Sequence, residues 1–322
     1  MSKVRVAVAG VGSLGQHHAR IAAGSATADL VAVVDPAEAR GREIAAKFGT
    51  AWVPALGEVL DRVDAVQIAA PTGNHHALGL EVLKAGKHVL MEKPMAATLD
   101  QGRDLLAALA RTRAEHPDLV ATVGHLERFN PAVTALRAKG IRPHFAEAVR
   151  VSPFPMRSLE VDVVMDVMIH DLDLLLTLIG RKVVSVEAVG VPVLTPYADL
   201  VNARIKFEGG AFATVTASRV ARKKERVLRA FGANAYASLD FAAQKLELLR
   251  LVQGPDGPAV HQEVVPVVEG EPLKIELEAF YQACLGLGGD SVPWADAFAA
   301  MEVAHMIQDS VADSLAHLEI RP

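Results

Sequence analysis

A chain of 322 residues, 51% of them apolar, with a formal net charge of −5, is long enough for two cores and has no basic excess to favour nucleic acid as its main partner. Its single cysteine, Cys284, excludes an internal disulfide and a cysteine-rich zinc site and suits a reducing cytoplasm. The opening Met1-Ser2-Lys3-Val4-Arg5 leads straight into a strand pattern rather than a signal peptide. The apolar stretch 159–180 carries Asp162, Asp166, Asp171 and Asp173, each costly at the centre of a bilayer.

From the start, β-branched runs alternate with Ala- and Leu-rich amphipathic segments, the pattern of βαβ units. Strands are predicted at 4–9, 30–34, 65–69, 88–91 and 119–123, and helices at 15–23, 37–48, 75–85 and 99–115. After Gly124 the pattern changes. Helices at 131–139 and 159–179 precede strand-like runs at 183–189, 200–207, 212–218, 227–231, 236–241 and 245–251. Gly209-Gly210 and Pro255-Asp256-Gly257 mark turns of an antiparallel meander, and helices return at 273–285 and 295–315. The expected architecture is an α/β Rossmann domain, a doubly wound parallel sheet, over 1–124, followed by an α+β domain over 125–322.

The first predicted strand runs into Gly10-Val11-Gly12-Ser13-Leu14-Gly15. Gly10 suits a tight turn, Gly12 admits a pyrophosphate to the backbone, and Gly15 lets helix and strand pack closely. The helix that follows offers free N–H groups and a partial positive charge to phosphates. Asp35 ends the second predicted strand, 20 residues after Gly15. A carboxylate there accepts hydrogen bonds from ribose hydroxyls and repels a 2′-phosphate, which favours NAD over NADP. Arg40 and Arg42, a turn further on, are the nearest cations that could accommodate NADP instead.

Three further segments, Ala70-Pro71-Thr72-Gly73-Asn74-His75, Met91-Glu92-Lys93-Pro94 and Asp166-Val167-Met168-Ile169-His170-Asp171-Leu172-Asp173, resemble the Gfo/Idh/MocA family of sugar and cyclitol dehydrogenases. The resemblance implies an NAD(P)-linked alcohol–ketone reaction, a mainly antiparallel open sheet in the second domain, and a Lys–Asp–His catalytic set. It also implies homodimers or homotetramers packed through that open sheet. On this basis Gly10, Gly12, Ser13, Leu14, Gly15, Asp35, Ala70, Pro71, Thr72, Asn74, His75, Glu92 and Lys93 are the candidate cofactor residues. Strand ends of a doubly wound sheet face the ligand crevice, so the segments around Pro71 and Lys93 converge there. The Lys93–Pro94 bond is expected to be cis.

Lys93 would place a cation near a reacting hydroxyl. Asp166 and His170, four residues apart, share a helix face that Asp173 continues. A carboxylate beside an imidazole fixes its tautomer and raises its basicity, which suits His170 to remove a hydroxyl proton. Solvated helix carboxylates and a metal site are the alternatives at this spacing, and hydride transfer to nicotinamide needs no metal. His17 and His18 read as helix-surface or packing residues, and His76 carries little information.

The run Gly124-His125-Leu126-Glu127-Arg128-Phe129-Asn130-Pro131, with Ile169 before the histidine, is similar to the subset of the family associated with nucleotide-sugar oxidation, as in UDP-N-acetylglucosamine 3-dehydrogenase-like proteins. Arg128 and Asn130 are then candidate substrate contacts beside Lys93, Asp166 and His170, and Arg150 and Arg157 could meet a diphosphate through forked hydrogen bonds. A dehydrogenase of free cyclitols or sugars and a non-catalytic NAD-binding regulatory protein are the other readings. The intact Lys93, Asp166 and His170 argue against the last.

Overall fold

The computed structural model describes residues 2–154, 162–254 and 257–317. They fall into two units, Met1–Leu126 with Glu271–Phe298, and Glu127–Gly270 with Ala299–Pro322.

In the first unit the strands are β1 (Val4–Ala9), β2 (Ala28–Val34), β3 (Ala51–Val53), β4 (Ala65–Ile68), β5 (His88–Glu92) and β6 (Ala121–Gly124). They alternate with α1 (Gly15–Ala23), α2 (Glu38–Phe48), α3 (His75–Lys84) and α4 (Leu99–Glu115). Every pairing is parallel, in the order β3-β2-β1-β4-β5-β6. Strands buried on both faces read as continuous apolar runs, as Val6-Ala7-Val8-Ala9 and Ala65-Val66 do. The winding reverses between β1 and β4, and the carboxyl ends of strands at such a switch point open the ligand crevice of this fold. This is the expected doubly wound sheet. The three-residue β3 is too short to leave a sequence pattern.

The expected boundary after residue 124 lies close to the first crossing between the units. A single cut misses the return of the chain at Glu271–Phe298, however. The cause is apolar: Leu273, Leu277, Phe280 and Tyr281 of α7 (Pro272–Cys284) are buried in the same cluster as Val4, Val6 and Ala19. Beyond α7, Val292 N–H donates to Thr122 Oγ1 at 2.9 Å, and the Trp294 indole N–H donates to the Thr122 carbonyl at 3.2 Å.

The second unit holds α5 (Pro131–Ala138), β7 (Phe145–Val151), α6 (Ile169–Ile179) and strands β8 (Val183–Val191) to β14 (Gly257–Val265). Between these lie β9 (Leu200–Phe207), β10 (Phe212–Ser218), β11 (Glu225–Gly232), β12 (Ala235–Asp240) and β13 (Lys245–Gly254), and α8 (Trp294–His317) ends the described chain. The eight-stranded sheet has the order β14-β13-β12-β11-β7-β10-β9-β8. It is antiparallel except where β7 and β10 pair in parallel, so it is mixed rather than a pure meander. β7 and β14, absent from the sequence reading, complete it.

One face of this sheet is covered. Ala146, Ala148, Val201, Ala203, Val215, Leu228, Ala230 and Leu239 point into a core shared with Leu172, Leu174 and Leu175 of α6. The opposite face carries Phe145, Phe231, Leu249, Leu251 and Val260, all exposed, with the Phe231 ring in tilted contact with those of Phe145 and Tyr236. Among the described residues no helix is long and apolar enough to cross a membrane.

Candidate active site

The glycines after β1 are dictated sterically. Gly10 has φ +83°, and a Cβ on it would lie 2.6 Å from the Ala70 backbone. A Cβ on Gly15 would lie 1.8 Å from the Gly10 carbonyl oxygen, whereas one on Gly12 would meet nothing. The loop is therefore closed against its neighbours at Gly10 and Gly15 and open at Gly12 and the exposed Ser13, where a pyrophosphate can approach the backbone.

Asp35 braces this loop from the end of β2. Val11 N–H donates to Oδ2 and Ala37 N–H donates to Oδ1, both at 2.9 Å. Arg40 donates to the Val11 carbonyl and pairs with Glu43, while Arg42 pairs with Glu38 and stacks on Trp52.

The loop after β4 opens with the exposed Pro71 and the turn Thr72–Asn74, leaving Asn74 exposed and Thr72 half-buried. His75 is not open to a ligand. Its ring is buried, with Nδ1 2.9 Å from the Pro94 carbonyl and Nε2 2.8 Å from the Ala70 carbonyl. Burial lowers its pKa despite those two acceptors. His75, an expected cofactor residue, thus ties two crevice loops together.

Glu92, also an expected cofactor residue, is likewise engaged within the protein. Its carboxylate is 4% exposed, takes a hydrogen bond from His18 Nε2 at 2.8 Å, and accepts Lys93 N–H at 3.3 Å. A Cβ on Gly124 would come within 2.9 Å of it. His18 Nδ1 lies 3.2 Å from Gln67 Oε1, and Gln67 donates to the Tyr281 hydroxyl, so a buried polar chain runs beneath the Glu92-Lys93-Pro94 turn. Sequence reasoning missed His18; the signal was a carboxylate at the end of a buried strand, which requires a donor. Lys93 is half-buried and its bond to Pro94 is cis, as expected.

In the second unit, Asp166 lies in a π-helical turn, Val164–Met168, and His170 in the first turn of α6. Both are half-buried. Asp162 caps the turn by accepting from Val164 and Met165 N–H, at 2.8 and 3.1 Å. Asp173 does not continue the Asp166–His170 face as a free carboxylate. It is buried against Arg128, whose Nε and Nη2 donate to it at 2.7 and 2.6 Å.

The other expected substrate contacts are similarly engaged within the protein. Asn130 caps α5 by accepting Ala132 N–H at 3.1 Å and donates to the Phe241 carbonyl. Arg150 is buried, gripping Asp171 with two hydrogen bonds of 2.9 and 2.7 Å and Glu127 with one of 2.7 Å, and lying over the Phe241 ring. Burial opposes its charge, but Asp171 and Glu127 prevail and hold it above the ordinary guanidinium range. Arg157 lies outside the described residues.

Residues 4–116 match the family described as "Oxidoreductase family, NAD-binding Rossmann fold", and residues 149–238 match the "GFO/IDH/MocA C-terminal domain". The chain is 39% identical, over 88% of its length and 89% of the relative's, to UDP-N-acetylglucosamine 3-dehydrogenase of Acidithiobacillus ferrooxidans. It is 29% identical to scyllo-inositol 2-dehydrogenase (NAD(+)) of Bacillus subtilis, over 67% and 68% of the two chains. A solved structure of the Acidithiobacillus ferrooxidans enzyme aligns with a TM-score of 0.91 at 34% identity, covering 98% of this chain and 99% of that one. Levoglucosan dehydrogenase with NADH and levoglucosan bound aligns at 0.85 and 19% identity, over 97% and 98%, a likeness of fold alone. With both of its parts matched and this identity along most of its length, the chain belongs to the GFO/IDH/MocA family of oxidoreductases.

Proposed function

We propose that this protein is an NAD-dependent dehydrogenase that oxidises a ring hydroxyl of a nucleotide sugar, a UDP-amino sugar of the UDP-N-acetylglucosamine kind, at C3. The observation that carries the reading is the 39% identity over 88% of the chain to UDP-N-acetylglucosamine 3-dehydrogenase. NAD in preference to NADP is supported by Asp35 at the end of β2. It is supported also by the engagement of Arg40 and Arg42 with protein partners. Gly10, Gly12, Ser13, Leu14 and Gly15 would hold the pyrophosphate, and Ala70, Pro71, Thr72 and Asn74 would line the crevice beside it. When bound, NAD supplies the hydride acceptor.

The chain's own residues do the rest. His170 takes the hydroxyl proton, Asp166 orients its imidazole, and Lys93 lends its charge to the developing alkoxide. The single cysteine suits a cytoplasmic protein, and the exposed apolar face of the eight-stranded sheet suits a homodimer or homotetramer.

The relationship to scyllo-inositol 2-dehydrogenase favours a second reading, oxidation of a free cyclitol or sugar. Thermal shift with NAD present separates the two. Stabilisation by UDP-N-acetylglucosamine and none by inositol or glucose is expected, with nicotinamide reduction on turnover. The reverse pattern selects the second reading.

A further inference from the structure

At one end of the covered sheet face, β7 and β11 place two arginines directly opposite each other, Arg150 against Arg226. Side chains so paired stand on the same face and close together, and like charges there repel. The rest of that face along the two strands is apolar, with Ala148 opposite Leu228 and Ala146 opposite Ala230. The cationic pair therefore marks a change of chemistry at the sheet end.

Asp171 and Glu127 face both arginines but are shared unequally. Both Asp171 oxygens bind Arg150, and Glu127 binds Arg150 through Oε1 and Asn130 through Oε2. Arg226, half-buried, has no side-chain hydrogen bond or ion pair among the described residues. Burial and the charge of Arg150 pull its pKa below the usual guanidinium range, against the attraction of Glu127 and Asp171. A structural cation in this fold is bound as Arg150 is. Arg226 keeps a planar fork of donors that no side-chain acceptor takes among the described residues, which suits a group whose acceptor is a ligand.

Its position says which ligand. Asp171, which fixes this sheet end to α6, directly follows His170. The loop preceding Arg226 adds the exposed Arg222, Lys223 and Lys224, extending positive potential outward.

We propose that Arg226 is the anion-binding residue of the substrate site, taking an oxyanion of the substrate in forked hydrogen bonds. The ligand is a phosphate of a nucleotide-sugar diphosphate or the carboxylate of a sugar acid. The inference rests on the reading of His170 as the proton acceptor at the reacting carbon.

The test uses the NAD-loaded protein with Arg226→Gln and Arg226→Lys. Titrations with UDP and with glucuronate are combined with kinetics on UDP-N-acetylglucosamine and with melting curves. Arg226→Gln should raise the UDP Kd and the substrate KM about 10- to 100-fold, the usual worth of a charge-assisted pair. NAD affinity and kcat should change little, Tm should not fall, and Arg226→Lys should recover part of the loss.

Unchanged Kd and KM in Arg226→Gln would overturn the assignment of Arg226 and leave the nucleotide-sugar reading intact. A loss accompanied by a lowered Tm in both variants would also overturn it, by marking a structural cation. Glucuronate binding that depends on Arg226, with none of UDP, would uphold the anion site and overturn the nucleotide-sugar reading. Binding of neither anion by the unaltered protein would overturn both.

Discussion

Replacing His18 by alanine removes the donor that faces the buried Glu92 carboxylate. What remains to that carboxylate is Lys93 N–H at 3.3 Å, a long contact for a charged group that is 4% exposed. A carboxylate accepts only, so His18 Nε2 must be the donor in the 2.8 Å contact. Leaving a buried carboxylate without its hydrogen-bond donor costs about 3 kcal/mol. In a unit of this size each kcal/mol moves Tm by about 2–4 °C, so His18→Ala should melt about 10 °C lower. Glutamine at 18 can present its amide near the Nε2 position, so His18→Gln should lose far less.

The same variants test whether the buried chain serves chemistry. Glu92 holds the backbone of Lys93, so an unbraced Glu92 should lower kcat more than it weakens NAD binding. The assay is scanning calorimetry with NAD titration and steady-state rates. His18→Ala with unchanged Tm and kcat would refute the reasoning, because the carboxylate would then have found another donor at no cost.

Asp35→Ser with Pro36→Arg should weaken NAD and improve NADP binding, measured by fluorescence titration of both reduced cofactors; equal affinities of the unaltered protein for the two would remove its basis. Lys93→Met and His170→Ala should each lower kcat by about 10²–10⁴, the usual share of an acid–base or charge-stabilising group, with NAD affinity nearly unchanged. Near-normal kcat in both would send the search for the catalytic base elsewhere. The exposed Phe145, Phe231, Leu249, Leu251 and Val260 should be covered by a second copy in solution, so light scattering at micromolar concentration should report a dimer or tetramer, and Leu251→Glu should dissociate it. A monomeric unaltered protein would contradict this.

Much of the first unit was legible because its determinants are local. Gly10 and Gly15 answer to backbone atoms that a Cβ would strike, and any chain making this turn needs glycine there. The strands β1, β4 and β5 are largely buried on both faces, and their charged or polar residues other than Gln67, namely Arg5, His88 and Glu92, stand at or near the strand ends where they leave the apolar run intact. What escaped was non-local. Nothing near residues 271–298 says that Leu277 and Tyr281 complete a core begun at Val4. Nothing in the spacing of Asp166, His170 and Asp173 says that one of the three carboxyl and imidazole groups turns to Arg128. The arginines after Gly124 could be read as ligand contacts because a solvent-facing guanidinium and one clamped on a buried carboxylate have the same sequence signature. β7 was missed because its core-facing positions are Ala146, Ala148 and Arg150, where a strand usually shows large apolar residues.

The fate of those arginines explains how α6 is held. Asp171 and Asp173 are buried in a helix otherwise packed by Leu172, Leu174 and Leu175, each carboxylate gripped by an arginine from a different element, β7 and the turn Leu126–Phe129. Buried pairs of this kind add little net stability compared with apolar residues of the same volume, because both charges must be desolvated. Their use lies in geometry. Leucines packing on a sheet tolerate small rotations and slides of a helix, whereas two bidentate arginine forks fix both its rotation and its position along its axis. His170 stands immediately before the first of these carboxylates, and Asp166 one turn earlier. Arg128 and Arg150, which sequence reading offers to the substrate, hold the helix that carries the candidate base, and the cation left over at that sheet end, Arg226, has donors to offer a ligand.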